Sequence, residues 1–292
     1  MPSLLRQCLG LLRAPGIEVS FALRSRFAWS RRELRLPNEG KHDLSQFLPP
    51  AMREHFDAVA TRLAREFSLR ELAAHSTRVV YTANLALLDR LVDLTASTVV
   101  PSSDDGVVRA VDVGCGDFHY ATALHRWLAR QQDKQPRPVV LRGLEVDAFG
   151  IYQDGHSRAD HARAHAALAE TGGGEVSFEV ADFTRVALPQ QDVITLLFPF
   201  LSVWPCLRWG LPLSRWRPRR LVRRAVATVR PGGWLVVGNQ TGAEFDRLCQ
   251  LLADQPVDLV ARTSFASDLV PWRTRTTDQV GSLWRRRERS AR

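Results

Sequence analysis

Asp112 stands at the carboxyl end of a short apolar run, Val107, Val108, Val111 and Val113, and Gly114-Cys115-Gly116 follows it directly. The run reads as a strand buried on both faces. The small residues after it let the backbone turn sharply and approach a ligand closely. A buried carboxylate costs several kcal/mol unless it is hydrogen-bonded, so Asp112 calls for a partner. Two more acids stand in the same setting. Glu145 closes the apolar stretch Val139 to Val146, and Asp182 follows the alternating stretch Val176 to Val180. His119 to Arg130 is helix-compatible, so the first loop belongs to a strand–turn–helix unit that can hold a cofactor.

Two loop chemistries compete. A dinucleotide fingerprint, G-x-G-x-x-G, needs a third glycine at position 119 and an acid about 20 residues later. The chain has His119 there, and Gln135, Pro136 and Arg137 at the later place. The alternative, D-x-G-x-G, is carried by Asp112, Gly114 and Gly116. It resembles motif I of the class I S-adenosylmethionine-dependent methyltransferases, although the family's third glycine is replaced by Phe118.

The order of the later motifs follows the same family. Glu145, ahead of Val146 and Asp147, resembles the acid that accepts from both ribose hydroxyls, as a carboxylate's two oxygens match a vicinal diol. Asp147 itself reads as a solvated loop acid or a helix N-cap. Ala181-Asp182-Phe183 resembles the adenine corner, Asp192 opens a fourth apolar strand running to Phe198, and Pro231-Gly232-Gly233 precedes a fifth. The resemblance implies a seven-stranded Rossmann-like α/β sheet, mostly parallel, with an antiparallel last strand inserted beside the sixth. It implies S-adenosyl-L-methionine as cofactor, held by Asp112, Gly114, Cys115, Gly116, Glu145, Val146, Asp182, Phe183 and Phe198.

These positions need a scaffold. Strands and helices alternate from residue 107 to 292, as in a parallel sheet with right-handed crossovers. After the fifth strand, Gly242 to Asp254 reads as a helix, and Val257 to Phe265 and Thr277 to Trp284 as closing strands. Residues 41–100 read as an N-terminal helical cap, with Met52, Phe56, Val59, Leu63 and Phe67 at helical spacing, and residues 101–106 as a linker. Residues 1–40 read as an irregular basic arm, for which a basic amphipathic membrane contact is one alternative.

Ligands of open α/β sheets lie beyond the carboxyl ends of the strands. The segment after strand four, with Phe200, Trp204, Trp209 and Trp216, is therefore the expected acceptor wall, together with Tyr152 and Arg158 from the polar stretch after Glu145. The cap and the 198–216 segment are expected to roof the pocket together. Phe198-Pro199-Phe200 lacks the Asn-Pro-Pro-Tyr pattern of base and glutamine amino-methylases. No catalytic residue can be assigned, since an activated methyl group asks mainly for alignment and exclusion of water.

Composition bounds the rest. At 45% hydrophobic and 24% charged residues the chain is globular, and it has no apolar run of the 18 or so residues that span a bilayer. Cys8, Cys115, Cys206 and Cys249 have no metal-like spacing and suit a reducing cytoplasm. His161 and His165 fall at i, i+4 without a third ligand, as on a surface helix, so no metal is expected. All but two of the 40 basic residues are arginine. Residues 201–230 hold eight arginines and no acid, and Arg285, Arg286, Arg287 and Arg289 form a second cluster. The expected function is methyl transfer to a small molecule or a protein side chain. The alternatives are an RNA methyltransferase using the 201–230 arginines, and a non-catalytic regulator or scaffold that binds the cofactor.

Overall fold

A computed structural model describes residues 12–31, 33–130, 137–171, 173–269 and 278–288. Cys8, Gln135, Pro136, Arg289 and the expected strand start at Thr277 lie outside the described residues. The sheet comprises β1 (Val108–Val113), β2 (Val139–Glu145), β3 (Glu175–Val180), β4 (Gln191–Leu197), β5 (Val229–Asn239), β6 (Val257–Ser264) and β7 (Val280–Arg286). Their spatial order is β3-β2-β1-β4-β5-β7-β6. β1 to β5 pair in parallel, and β7 runs antiparallel to both neighbours. The chain steps one way from β1 to β3 and the other way from β4, so the order reverses between β1 and β4 and opens a crevice at their carboxyl ends.

Alternation along each strand feeds two cores. Val108 and Ala110 face a layer built on α4 (Arg78–Leu94), α5 (Ala121–Ala129) and α6 (Arg158–Glu170). Val111, with Ile194 and Leu235, faces α8 (Pro218–Thr228) and α9 (Gly242–Leu252). Leu85, Leu88 and Leu91 of α4 are buried in one core with Trp127 and Leu283. The expected roof of residues 43–95 is therefore not there: α4 is a layer helix of the sheet, with α2 (Pro50–Glu66) and α3 (Arg70–Ala74) outside it. The 101–106 linker is tied down as well. Asp192, fully buried, accepts from Ser103 Oγ at 3.1 Å, Arg109 N at 2.8 Å and Arg230 Nε at 2.5 Å.

Part of the expected irregular arm is helical. Residues Ala14–Phe27 form α1, with Pro15 in the first turn, where the missing N–H costs nothing. The helix ends at Ala28 in a left-handed conformation (φ 46°). Both of its faces are apolar, so the sequence offers no contrast from which to read a helical period. The helix carrying His165 also departs from expectation. Ser157 and Asp160 form a capping box at its start, and His165 is buried with Nδ1 2.9 Å from the Asp117 carbonyl oxygen.

Candidate functional site

A cavity of about 530 Å³ opens at the carboxyl ends of β1, β2 and β4. Its floor is the β1–α5 turn. Gly114 (φ 73°) and Gly116 (φ 62°) are both left-handed, and a Cβ on either would meet nothing within 4 Å. The loop thus presents bare backbone to open space. Phe118 holds the third-glycine position at φ 55°. Its ring is fully buried against Gly143, where a Cβ would come within 2.8 Å of it.

Three acids from the ends of three strands converge on this floor. Asp112, fully buried behind the wall, accepts from Thr195 Oγ1 at 2.5 Å. Its Oδ2 makes no protein hydrogen bond of proper geometry, with the Tyr120 hydroxyl as its polar neighbour. Burial pushes this carboxyl up to about 7. Glu145 accepts from Gly116 N at 2.9 Å and Asp147 N at 2.8 Å, and burial raises its pKa. Asp182 accepts from Thr184 N and Oγ1 through one oxygen and from Arg215 Nη1 at 3.2 Å through the other. Burial raises its pKa, but the Thr184 hydrogen bonds and the Arg215 and Arg185 charges outweigh this and hold it low.

Glu145, Asp182, Phe183 and Phe198 line the cavity with the glycine loop, as do Tyr152 and Phe200. Val146 does not; it packs against the cluster of Phe21, Cys206 and Leu211. Asp147 is neither solvated nor an N-cap. It is buried and pairs with Arg24 Nε at 2.6 Å and Arg158 Nη1 at 3.0 Å. Arg158 is spent on that pair, its guanidinium 4.9 Å from the centre of the Trp209 ring, and does not face the cavity. Trp204, in α7 (Val203–Trp209), also lies off the wall, whereas Trp209 and Trp216 are on it.

Sequence reasoning passed over Asp117 and His119. Both line the cavity, and His119 Nδ1 lies 2.6 Å from Asp117 Oδ1. Burial opposes ionisation of Asp117, but the hydrogen bond to His119 and the nearby His119 and His165 rings keep its pKa well below the usual carboxylate range. An Asp-x-His directly after the glycine loop was the available signal. Gln279 reaches the same cavity from the start of β7, and no local pattern marks it.

The wall formed by residues 210–216 is backed by α1. Arg24 Nη2 donates to the Gly210 carbonyl oxygen at 2.9 Å, and Ser214 N and Oγ donate to Glu18 at 3.0 and 2.8 Å. The Arg215 guanidinium lies 5.5 Å from the centre of the Phe21 ring. No group of metal-ligating side chains occurs among the described residues.

No family model matches the chain, and no curated protein does. Among solved structures it is similar to the N-methyltransferase NodS from Bradyrhizobium japonicum in complex with S-adenosyl-L-homocysteine, at 15% identity and TM-score 0.45 over 79% of this chain and 99% of that one. It is similar to magnesium protoporphyrin IX methyltransferase from Synechocystis with bound S-adenosylmethionine, at 10% identity and TM-score 0.45 over 79% and 96%. The [4+2]-cyclase SpnF is similar at 16% identity and TM-score 0.44 over 69% and 80%. The strand order with its inserted antiparallel β7 settles the architecture. The fold is that of the class I S-adenosylmethionine-dependent methyltransferases. In this fold the cavity sits where the strand order reverses. Among the described residues, no helix is long and apolar enough to cross a membrane.

Proposed function

We propose that this protein binds S-adenosylmethionine in the β1–β2–β4 cavity and catalyses transfer of its methyl group to a small-molecule or protein acceptor. The observation that carries this reading is the convergence of Glu145 and Asp182 on a glycine turn whose backbone faces open space, with Asp112 buried directly behind it. The residues present fit the cofactor. Glu145 keeps lone pairs free beside its two backbone donors and suits the ribose diol. Asp182 and Phe183 suit an amine-bearing ring, and Asp112, buried behind the turn beside Tyr120, holds the end of β1 to β4 through Thr195.

The cofactor supplies an already activated methyl group when bound. The chain's own task is to align the acceptor, exclude water and receive a proton. Phe198, Phe200, Trp209 and Trp216 give the acceptor side an apolar, water-excluding wall. Asp117 fixes His119 through Nδ1, which leaves Nε2 to take the acceptor's proton. Five of the eight arginines in 201–230 are engaged within the molecule: Arg215, Arg217, Arg220, Arg224 and Arg230. This supports a compact acceptor over RNA. Cys115, Cys206 and Cys249 are free thiols, which suits a cytoplasmic location.

Titration calorimetry with S-adenosylmethionine and S-adenosylhomocysteine tests the reading. Binding of both, with labelled methyl passed to a component of a cell extract, is expected. No binding of either at about millimolar concentration, a standard binding energy of only about 4 kcal/mol, rejects it. Binding without turnover leaves a cofactor-binding regulator in its place.

A further inference from the structure

α1 is docked to the body by one face and exposed on the other, and the exposed face is as apolar as the docked one. Phe21 packs with Cys206 and Leu211, and Arg24 reaches Asp147 and Gly210. On the opposite side Leu12, just ahead of the helix, aligns with Val19, Leu23 and Phe27 at intervals of seven, four and four residues, a single stripe at helical period. These four side chains and the neighbouring Trp29 are 51–78% exposed. The stripe is about 22 Å long at the helical rise. Single exposed apolar residues need no explanation, but a contiguous stripe marks a surface that something covers.

Charge identifies what covers it. Arg13 and Arg26 flank the stripe and are exposed. The one acid of the helix, Glu18, is turned away and held by Ser214. A second copy of the helix laid antiparallel on this face would set Arg13 of one chain beside Arg26 of the other, and a parallel pairing would set each arginine beside its own copy. No acid is on the face to neutralise either arrangement. Negatively charged lipid headgroups neutralise both arginines at once. Leucine and phenylalanine then enter the acyl boundary, while Trp29 sits at headgroup depth, its indole N–H donating to the Gly155 carbonyl oxygen at 3.2 Å.

We propose that α1 is an interfacial helix by which this protein lies on an anionic membrane surface, parallel to it and without crossing it. The proposal stands apart from methyl transfer, since it uses the face of α1 turned away from the cavity. The same helix backs the cavity wall at residues 210–216, so the cavity of the bound protein lies close to the lipid.

Sedimentation of the full chain with vesicles of phosphatidylcholine, alone or with about one third phosphatidylglycerol, tests it at low and high salt. Binding to the anionic vesicles is expected, falling at least about tenfold in high salt as the arginine contribution is screened. Leu23→Glu with Phe27→Glu is expected to lower partitioning at least about tenfold while leaving the melting temperature and S-adenosylhomocysteine binding unchanged. Should that double variant melt early, Phe27→Ser alone, at a 76% exposed position, is expected to lower partitioning about threefold. Wild-type protein that ignores both vesicle types, or variants that bind as well as wild type, overturn the proposal. So does a wild-type dimer that the double variant turns into a monomer, which assigns the stripe to a second copy.

Discussion

The backbone N–H of Asp147 donates to Glu145 Oε1 at 2.8 Å, so the second acid of the β2 turn helps hold the first in place. Glu145 faces the cavity and Asp147 faces away, toward Arg24 and Arg158. Two carboxylates only two residues apart thus divide between cavity and scaffold.

That division predicts cofactor affinities. Glu145→Ala and Asp182→Ala should each weaken S-adenosylhomocysteine binding by about 1–3 kcal/mol in calorimetry, the usual cost of unpairing a polar contact. Gly114→Val should be worse, because its φ of 73° resists a branched residue and the new side chain enters the open space above the loop. Normal binding by Glu145→Ala alongside lost binding by Asp147→Ala would move the ribose-contacting acid two residues along.

The scaffold half should appear in stability. Arg24→Ala leaves Asp147 with Arg158 alone and should cost about 1–2 kcal/mol in urea unfolding. Asp147→Ala strands two arginines, one of them largely buried, and should cost about 3–5 kcal/mol. Equal effects of the two substitutions would show that Arg158 takes no part in the pair.

Asp112 and His165 make stability depend on pH in opposite senses. Burial pushes Asp112 up to about 7, against about 3.9 when unfolded. Between those values the folded chain keeps a proton that the unfolded chain has released, so this contribution falls as pH rises from about 4 to about 7. Burial pushes His165 down to about 4, against about 6.5 when unfolded. There the unfolded chain takes up a proton that the folded chain refuses, so stability falls as pH drops from about 6.5 to about 4. Urea midpoints across this range should show Asp112→Asn gaining on wild type with rising pH, by about 4 kcal/mol in all, and His165→Gln losing less than wild type on acidification. A wild-type slope in either variant contradicts its assignment.

Filter binding at two salt concentrations should find no tight, salt-sensitive RNA complex. Arg220 and Arg224 donate to the carbonyl oxygens of Thr184 and Val186, and so brace the turn that carries Asp182. Their neutralisation should therefore weaken S-adenosylhomocysteine binding. Steeply salt-dependent RNA binding, lost on neutralising Arg219, Arg220, Arg223 and Arg224, would restore the nucleic-acid reading.

The sheet was legible because every strand that mattered carried its own local signal. Three apolar or alternating runs end in an acid or a glycine turn, the fourth opens on Asp192, and the expected proline with paired glycines falls within the first residues of the fifth. Asp112, Glu145 and Asp182 were legible for the same reason, each being an acid at the end of a strand. What stayed hidden depended on partners distant in sequence. Asp147 resembled any loop acid until Arg24 closed on it, and Arg158 resembled a substrate ligand until Asp147 claimed it. Phe118 could not announce a left-handed turn, since the room for its ring comes from Gly143 on the next strand. α1 was invisible because apolar residues on both faces cancel the periodic contrast by which helices are read.

The docking of α1 also sets an order of events during synthesis. Arg24 meets Asp147 across 123 residues, and Glu18 meets Ser214 across 196. At roughly 5–20 residues per second, those partners leave the ribosome on the order of ten seconds or more after the helix does. For that interval the inner face of α1 lacks the partners it packs against in the finished fold. The contacts that fix its inner face thus form only once the β2 turn and the segment after β4 have been made.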